Sequence, residues 1–220
     1  MVRKAKTFAQ VSDTLGAHMD EDSLLDAFAE GDGLVTNTAF SRLELAYEDA
    51  GETTFDTVLF RSCTFDGVDF SGCTFRDVRF RGCRFVRCIM DRAWLNRVDF
   101  QDCSAPGLSL VQARLASVAL SSCDLSYANV SETSIDQLFA CDTRFAEAAL
   151  QRARLKRVVF DGCDLTRIDV FGTPLSGIDV STCAFVAPVL SADYRELRGA
   201  KVSAEQAVTL AELLGVIVEE

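Results

Sequence analysis

From Phe55 to Phe185 every fifth residue is apolar, running Phe55, Phe60, Phe65, Phe70 and onward through 27 positions, 20 of them Phe or Leu. With 49% of the chain apolar, chance gives such a run on the order of once in 10⁸ trials. The residue two places before each is always Ala, Cys, Val, Thr, Ile or Leu, and no charge falls at either position. A period of five suits neither a helix, at 3.6, nor a strand, at 2. Two inward and three outward residues per repeat describe a chain that turns a corner every five residues.

A second period sets the number of corners. Steps of twenty from Val58 give Val78, Val98, Val118, Leu138, Val158 and Ile178. The same step from Cys63 gives Cys83, Cys103, Cys123, Thr143, Cys163 and Cys183. Like residues therefore stack every four repeats, as in solenoids whose neighbouring coils share one core. The expected fold is all-β, a four-sided β-solenoid with a structural core ladder of Cys63, Cys83, Cys103, Cys123, Cys163 and Cys183. Two places in the Phe/Leu columns are small, Ala105 and Ala140. Leu138, where its column otherwise has Val or Ile, is expected to fill part of the Ala140 gap.

The repeat resembles that of the pentapeptide repeat family, of form A(D/N)LXX. Cys63-Thr64-Phe65-Asp66-Gly67 and Val68-Asp69-Phe70-Ser71-Gly72 represent it, and the register holds over residues 53–187. The resemblance implies a right-handed quadrilateral β-helix with coils about 4.8 Å apart, the spacing of hydrogen-bonded strands. Nearly seven coils then make a rod on the order of 32 Å long.

The ends read differently. Asp20 to Gly31 is expected to form a short helix, with acids in its first turn, Leu24, Leu25 and Phe28 on one face, and Gly31 as its stop. Residues 1–18 give no signal and are expected to be a mobile arm. A partial opening coil is expected over 36–54, interrupted by Glu48. Beyond the repeats, Ser203-Ala204-Glu205-Gln206 has the form of a capping box, and a helix over 204–214 presents Ala207, Leu210, Leu213 and Leu214 on one side. The division is thus an arm and capping helix (1–35), the solenoid (36–190), and a C-terminal capping helix and dimerisation tail (191–220). An open solenoid end exposes core and strand edges, so an apolar helix is expected to cover it.

The terminal segment carries a finer resemblance. Gly199-Ala200-Lys201-Val202, Gln206-Ala207, Leu210 to Leu214, and Gly215-Val216-Ile217-Val218 are similar to the C-terminus of Qnr-type quinolone-resistance proteins and their mycobacterial relatives. That resemblance implies a homodimer joined through Leu210, Leu213, Leu214, Val216, Ile217 and Val218. It further implies binding to a type II topoisomerase, DNA gyrase or topoisomerase IV, partly by imitating DNA, with relief of quinolone poisoning. The Qnr proteins of Gram-negative bacteria carry loops bulging from the rod, and this register leaves no room for one.

Charge tempers the DNA-mimic expectation. The net charge is −11, which argues against direct nucleic-acid binding. Yet residues 55–190 hold fifteen basic and sixteen acidic residues, against four and eleven in 1–54 and three and six in 191–220. One side collects Arg76, Arg97, Arg114, Arg154, Lys156 and Arg157. Trp94 shares that side, so Trp94, Arg97 and Arg114 are candidate partner contacts. Phe139 and Phe171 also sit at outward positions.

No enzyme constellation emerges. Eight of nine cysteines are inward and stacked, whereas a metal site needs converging ligands and a disulfide needs facing Cβ vectors. Only Cys141 occupies an outward position. His18 is the sole histidine and has no partner in sequence. Asp recurs before the Phe/Leu position, at Asp69, Asp99, Asp124, Asp164, Asp169 and Asp179, and is read as structural. No cofactor is expected, and no run approaches the roughly 18 apolar residues that span a bilayer. With no secretory signal read at the start, the expected location is cytoplasmic. The expected function is therefore a non-enzymatic modulator of DNA gyrase or topoisomerase IV that protects it from quinolone-like drugs or a self-made toxin; the alternative is a generic interaction scaffold or regulator with an unrelated partner.

Overall fold

Every fifth residue from Asn37 to Gly177 has a left-handed φ, between +48° and +77°. This is a computed structural model, and it describes residues 6–213 and 215–218. These twenty-nine successive corners include only seven glycines. An L-residue in this conformation costs about 1–2 kcal/mol, so the burial of the repeat's inward residues must outweigh a toll taken at nearly every corner.

Helix α1 (Glu21–Ala29) opens the described structure's regular elements. Seven long strands follow: β1 (Leu34–Ser41), β3 (Thr54–Arg61), β5 (Thr74–Arg81), β7 (Trp94–Gln101), β8 (Arg114–Ser121), β9 (Ser134–Cys141) and β10 (Arg154–Asp161). They form one parallel sheet in that order. Register is offset by twenty residues throughout, with Phe55 beside Phe75 and Val58 beside Val78. Each long strand contains one left-handed residue, such as Thr57 or Asp77, and so wraps two sides of the coil. Short strands β2 (Glu44–Ala46), β4 (Thr64–Asp66) and β6 (Arg84–Val86) pair on the third side. Single parallel bridges continue that side to Ala184 and make up the fourth, from Asp49 to Val189.

A side-chain hydrogen bond marks the third and fourth sides. There the residue before the core position accepts the amide two places on: Asp69 from Ser71 at 2.8 Å, Asp124 from Ser126 at 3.0 Å, Asn129 from Ser131 at 3.1 Å and Asp169 from Phe171 at 3.0 Å. Such Asx turns compete with the strand ladder, which accounts for the shortness of these strands and for most of the recurring Asp. Asp179, past the last long strand, makes the same turn with Ser181 N at 2.9 Å, whereas Asp99 lies within β7 and accepts no such amide.

The core follows the two periods. Phe55 and Phe75 stack at 4.9 Å, Phe60 and Phe80 at 5.0 Å, and Phe65 and Phe85 at 5.0 Å. Rings of neighbouring sides meet edge to face, as Phe60 meets Phe65 at 5.5 Å. Both geometries are favourable for aromatic quadrupoles. The small inward column adds a second ladder: Cys83 Sγ donates to the Phe60 carbonyl at 3.5 Å, Cys103 to that of Phe80 at 3.4 Å, and Thr133 Oγ1 to that of Leu110 at 2.9 Å. Each acceptor lies 23 residues back. Thr53 holds the equivalent place in the opening coil, where the residue 23 back is Glu30, the C-cap of α1. Its Oγ1 is the one buried side-chain oxygen or nitrogen without a partner among the described residues.

Phe thins out after Phe100, and the core loosens there. A cavity of about 30 Å³ is lined by Ala105, Phe100, Leu110, Leu125 and Leu138, among others. The small residue at 105 thus leaves the gap expected from its column.

Three expectations need correction and one a qualification. The opening coil is complete rather than partial: β1 begins at Leu34 and pairs along its length with β3, and Glu48 is accommodated half-buried without breaking the corners. Cys141 is buried although its repeat position is outward. Residues 6–18 are not a loose arm but lie bonded across the solenoid, as described below. Helix α2 (Ala204–Leu213) has no buried residue; of its apolar residues only Leu210 packs against the core, beside Leu190, Leu197, Ala200 and Val202.

The N-terminal end is closed by α1. Asp20 caps it by accepting from Ser23 N at 2.9 Å, and Leu24 and Phe28 are buried, Phe28 against Phe55 at 6.2 Å. Gly33 permits this approach, since a Cβ there would lie 1.9 Å from the Ala27 carbonyl oxygen. At the other end the short 3₁₀ turn Arg195–Leu197 inserts the buried Glu196.

Candidate partner-binding surfaces

The side expected to be basic is neutralised only in part, by pairs across coils in which three acids meet four of its six bases. Arg76 Nη1 lies 3.1 Å from Asp56, and Lys156 and Arg157 both reach Asp136, at 3.4 and 2.6 Å. Arg97 forks onto Asp77, its Nε at 2.7 Å. The hydrogen bond from Arg97 holds the Asp77 carboxyl below the usual aspartate range. Acids and bases one coil apart thus pair along the stack, although exposed pairs of this kind contribute only about 0–1 kcal/mol each.

Of the three candidate contacts on this side, two come together. Trp94 opens β7 and is paired in register with Arg114 of β8, and both are exposed. Arg97 stands at the corner and is committed to Asp77. Phe171 is exposed on another side, while Phe139 is half-buried with Lys6 Nζ 5.9 Å above its ring.

Sequence reasoning missed the arm. Its backbone runs from the coil of Asp99 back to the coil of Thr38. Phe8 N and Ala9 N donate to Asp99 Oδ1 at 2.8 and 3.3 Å, and Gln10 N donates to Asp77 Oδ1 at 3.0 Å. Arg61 donates to the Asp13 carbonyl at 2.5 Å, while Arg79 pairs with the Asp13 carboxylate. Ala39 N donates to the Gly16 carbonyl at 2.9 Å, and His18 N to Thr38 Oγ1 at 2.8 Å. Ala9 and Val11 are buried on Ala39 and Leu59. Burial under the arm pushes the Asp99 carboxyl up, although the two amides it accepts pull the other way. The only trace in sequence is the alternation of Ala9 and Val11, too short to read as a strand.

The C-terminal segment exposes apolar surface. Val208, Leu213, Val216, Ile217 and Val218 are all open, Ile217 to 88%. Leu210 is partly covered by the core, and Leu214 lies outside the described residues. The structure therefore leaves most of the expected dimer residues facing outward.

Chemistry has little to work with here. Among the described residues no three His, Cys, Asp or Glu side chains are grouped to hold a metal ion. All nine cysteines are buried, and burial pushes the Cys73 and Cys88 thiols up, away from the thiolate a nucleophile requires. No helix of the described residues is long and apolar enough to cross a membrane.

Residues 50–94 and 142–177 match models of pentapeptide repeats. With its unbroken corners and parallel coils, the chain is a pentapeptide repeat protein. It is similar in structure to HetL, a pentapeptide repeat protein involved in heterocyst differentiation regulation from the cyanobacterium Nostoc sp. strain PCC 7120, at 18% identity and TM-score 0.59, over 84% of this chain and 94% of that one. It is also similar to QnrB1, a plasmid-mediated fluoroquinolone resistance protein, at 20% identity and TM-score 0.48, over 83% of this chain and 90% of that one. No curated protein sequence matches the chain.

Proposed function

We propose that this protein is a non-enzymatic binding rod that pairs with a second copy through its C-terminal segment and, so paired, binds a type II topoisomerase, modulating it and protecting it from quinolone-like drugs or a self-made toxin. The observation that carries this reading is the open apolar tail, Val216-Ile217-Val218, in a segment whose sequence resembles the dimerising end of Qnr-type proteins. Contiguous exposed apolar residues at a solenoid end are unfavourable unless something covers them. A second copy of the same end supplies a self-complementary cover, as two-fold interfaces do. Trp94 and Arg114, adjacent on β7 and β8, are proposed as partner contacts.

The reading is tested by supercoiling and DNA-cleavage assays on gyrase and topoisomerase IV, with and without a fluoroquinolone. Inhibition of supercoiling, or loss of drug-trapped cleavage, at micromolar protein supports it, and Trp94→Ala should weaken the effect without lowering the melting point. A second reading, an interaction scaffold with another partner, is favoured by the cross-coil pairing of charge, which gives the long sides little of DNA's uniform negative charge. Indifference of both topoisomerases would select it.

A further inference from the structure

The side crossed by the arm recognises a polypeptide mostly through its main chain. Three consecutive arm amides meet two carboxylates, Asp99 and Asp77. Two arm carbonyls are reached by guanidinium groups: that of Asp13 by Arg61, and that of Ala9 by Arg79 at 3.3 Å. The arm forms no strand and contributes only two buried side chains, Ala9 and Val11, both small. Nor does it fill its seat: a cavity of about 210 Å³ lies beside it, lined by Lys6, Thr7, Asp99, Phe100, Gln101 and Ala119, among others.

From this we infer that the side formed by β1, β3, β5 and β7 is a docking groove for an extended segment of a partner protein, and that residues 6–16 are a displaceable strap occupying it in cis. The seat defines the occupant. It is extended, with small aliphatic side chains at the places of Ala9 and Val11, to rest on Ala39 and Leu59. It carries an acid at the place of Asp13, to meet Arg79. At the place of Thr7 it carries a longer side chain with an aliphatic stem and a polar end, for Phe100 and Ala119 on one hand and Gln101 on the other. The strap lacks that last element and holds its place through tethering, which supplies an effective concentration on the order of millimolar. A partner segment that fills the cavity can exceed it.

The probe is a fluorescent peptide of residues 6–18 carrying Thr7→Gln, followed by anisotropy against the full chain. In a variant with Ala9→Asp and Val11→Asp the strap is unseated by its buried charges. The peptide is expected to bind this variant at least tenfold more tightly than wild type, and adding Arg79→Ala is expected to abolish that gain. In wild-type protein, hydrogen exchange should show the amides of Phe8, Ala9 and Gln10 opening at least a hundredfold faster than those of β5 and β7. No saturable binding to a folded, unseated variant would overturn the proposal. So would strap amides protected as well as the core, or an unseated variant that does not fold, since either makes the arm an integral part of the solenoid. If the native-sequence peptide binds as tightly as the Thr7→Gln peptide, the occupant is the strap of a second copy and the partner claim falls.

Discussion

Ser203 and Gln206 cap each other: Gln206 N donates to Ser203 Oγ at 3.1 Å, and Ser203 N donates to Gln206 Oε1 at 2.9 Å. The Gln206 amide nitrogen then donates to the carbonyls of Val180 and Cys183, at 3.0 and 2.7 Å. One side chain thus closes the start of α2 and satisfies the backbone of the last coil. Ser203→Ala should cost about 1 kcal/mol, the usual worth of an N-cap. Gln206→Ala should cost about 2 kcal/mol, because it also leaves the partly buried Cys183 carbonyl without its donor, while that of Val180 keeps Cys183 N at 2.9 Å. Urea midpoints of the two variants against wild type check the order; equal losses would mean that the end carbonyls find other donors.

Ala105 leaves the core cavity, and Leu138 borders the same space. Filling it should help and enlarging it should hurt. Ala105→Val is expected to stabilise by about 1 kcal/mol and Leu138→Val to destabilise by a similar amount, following the cavity term for buried methyl groups. Denaturant melts with unchanged slopes provide the check. A neutral Leu138→Val would show that this leucine does not compensate for the small Ala140.

These examples show what a repeat makes legible. The coil, its period, the inward columns and the capping box were all written in the sequence, because each depends on contacts at fixed offsets of two, three, five or twenty residues. The arm was not, because Phe8 and Asp99 meet across 91 residues through main-chain amides that every sequence possesses. Cys141 misled for a related reason. Its repeat position is outward, but position within a repeat does not report what later lies over that side. The C-terminal helix misled in the other direction: its apolar face read as a lid, yet only Leu210 reaches the core.

The thiols offer a direct test of burial. Cysteines at inward positions are covered by the next coil, and Cys141 is covered as well. Native protein treated with Ellman's reagent should release less than one equivalent over the time in which denatured protein releases nine. A single fast equivalent that disappears in Cys141→Ser would show the outward reading of that residue to be right.

Glu196 makes the C-terminal end sensitive to acid. Burial opposes its charge, but hydrogen bonds from Ser191 Oγ at 2.7 Å and Gly172 N at 2.8 Å outweigh this and hold its carboxyl below the ordinary value of 4.5. A depressed folded-state value means that the stabilisation is present above the unfolded value and is lost as pH falls through the folded one. Glu196→Gln should therefore lower the melting temperature at pH 7, and the gap from wild type should narrow below about pH 4.5. A gap independent of pH would assign the loss to packing alone.

The pairing of two rods through Leu213, Val216, Ile217 and Val218 is the claim on which the functional account turns, and sedimentation equilibrium of the full chain tests it most directly. The account predicts a mass of twice 24.0 kDa, falling to that of one chain when Ile217 is replaced by Asp, with the melting of the solenoid unchanged. A wild-type protein that sediments as a single chain at tens of micromolar, or an Ile217→Asp variant that stays paired, would contradict it.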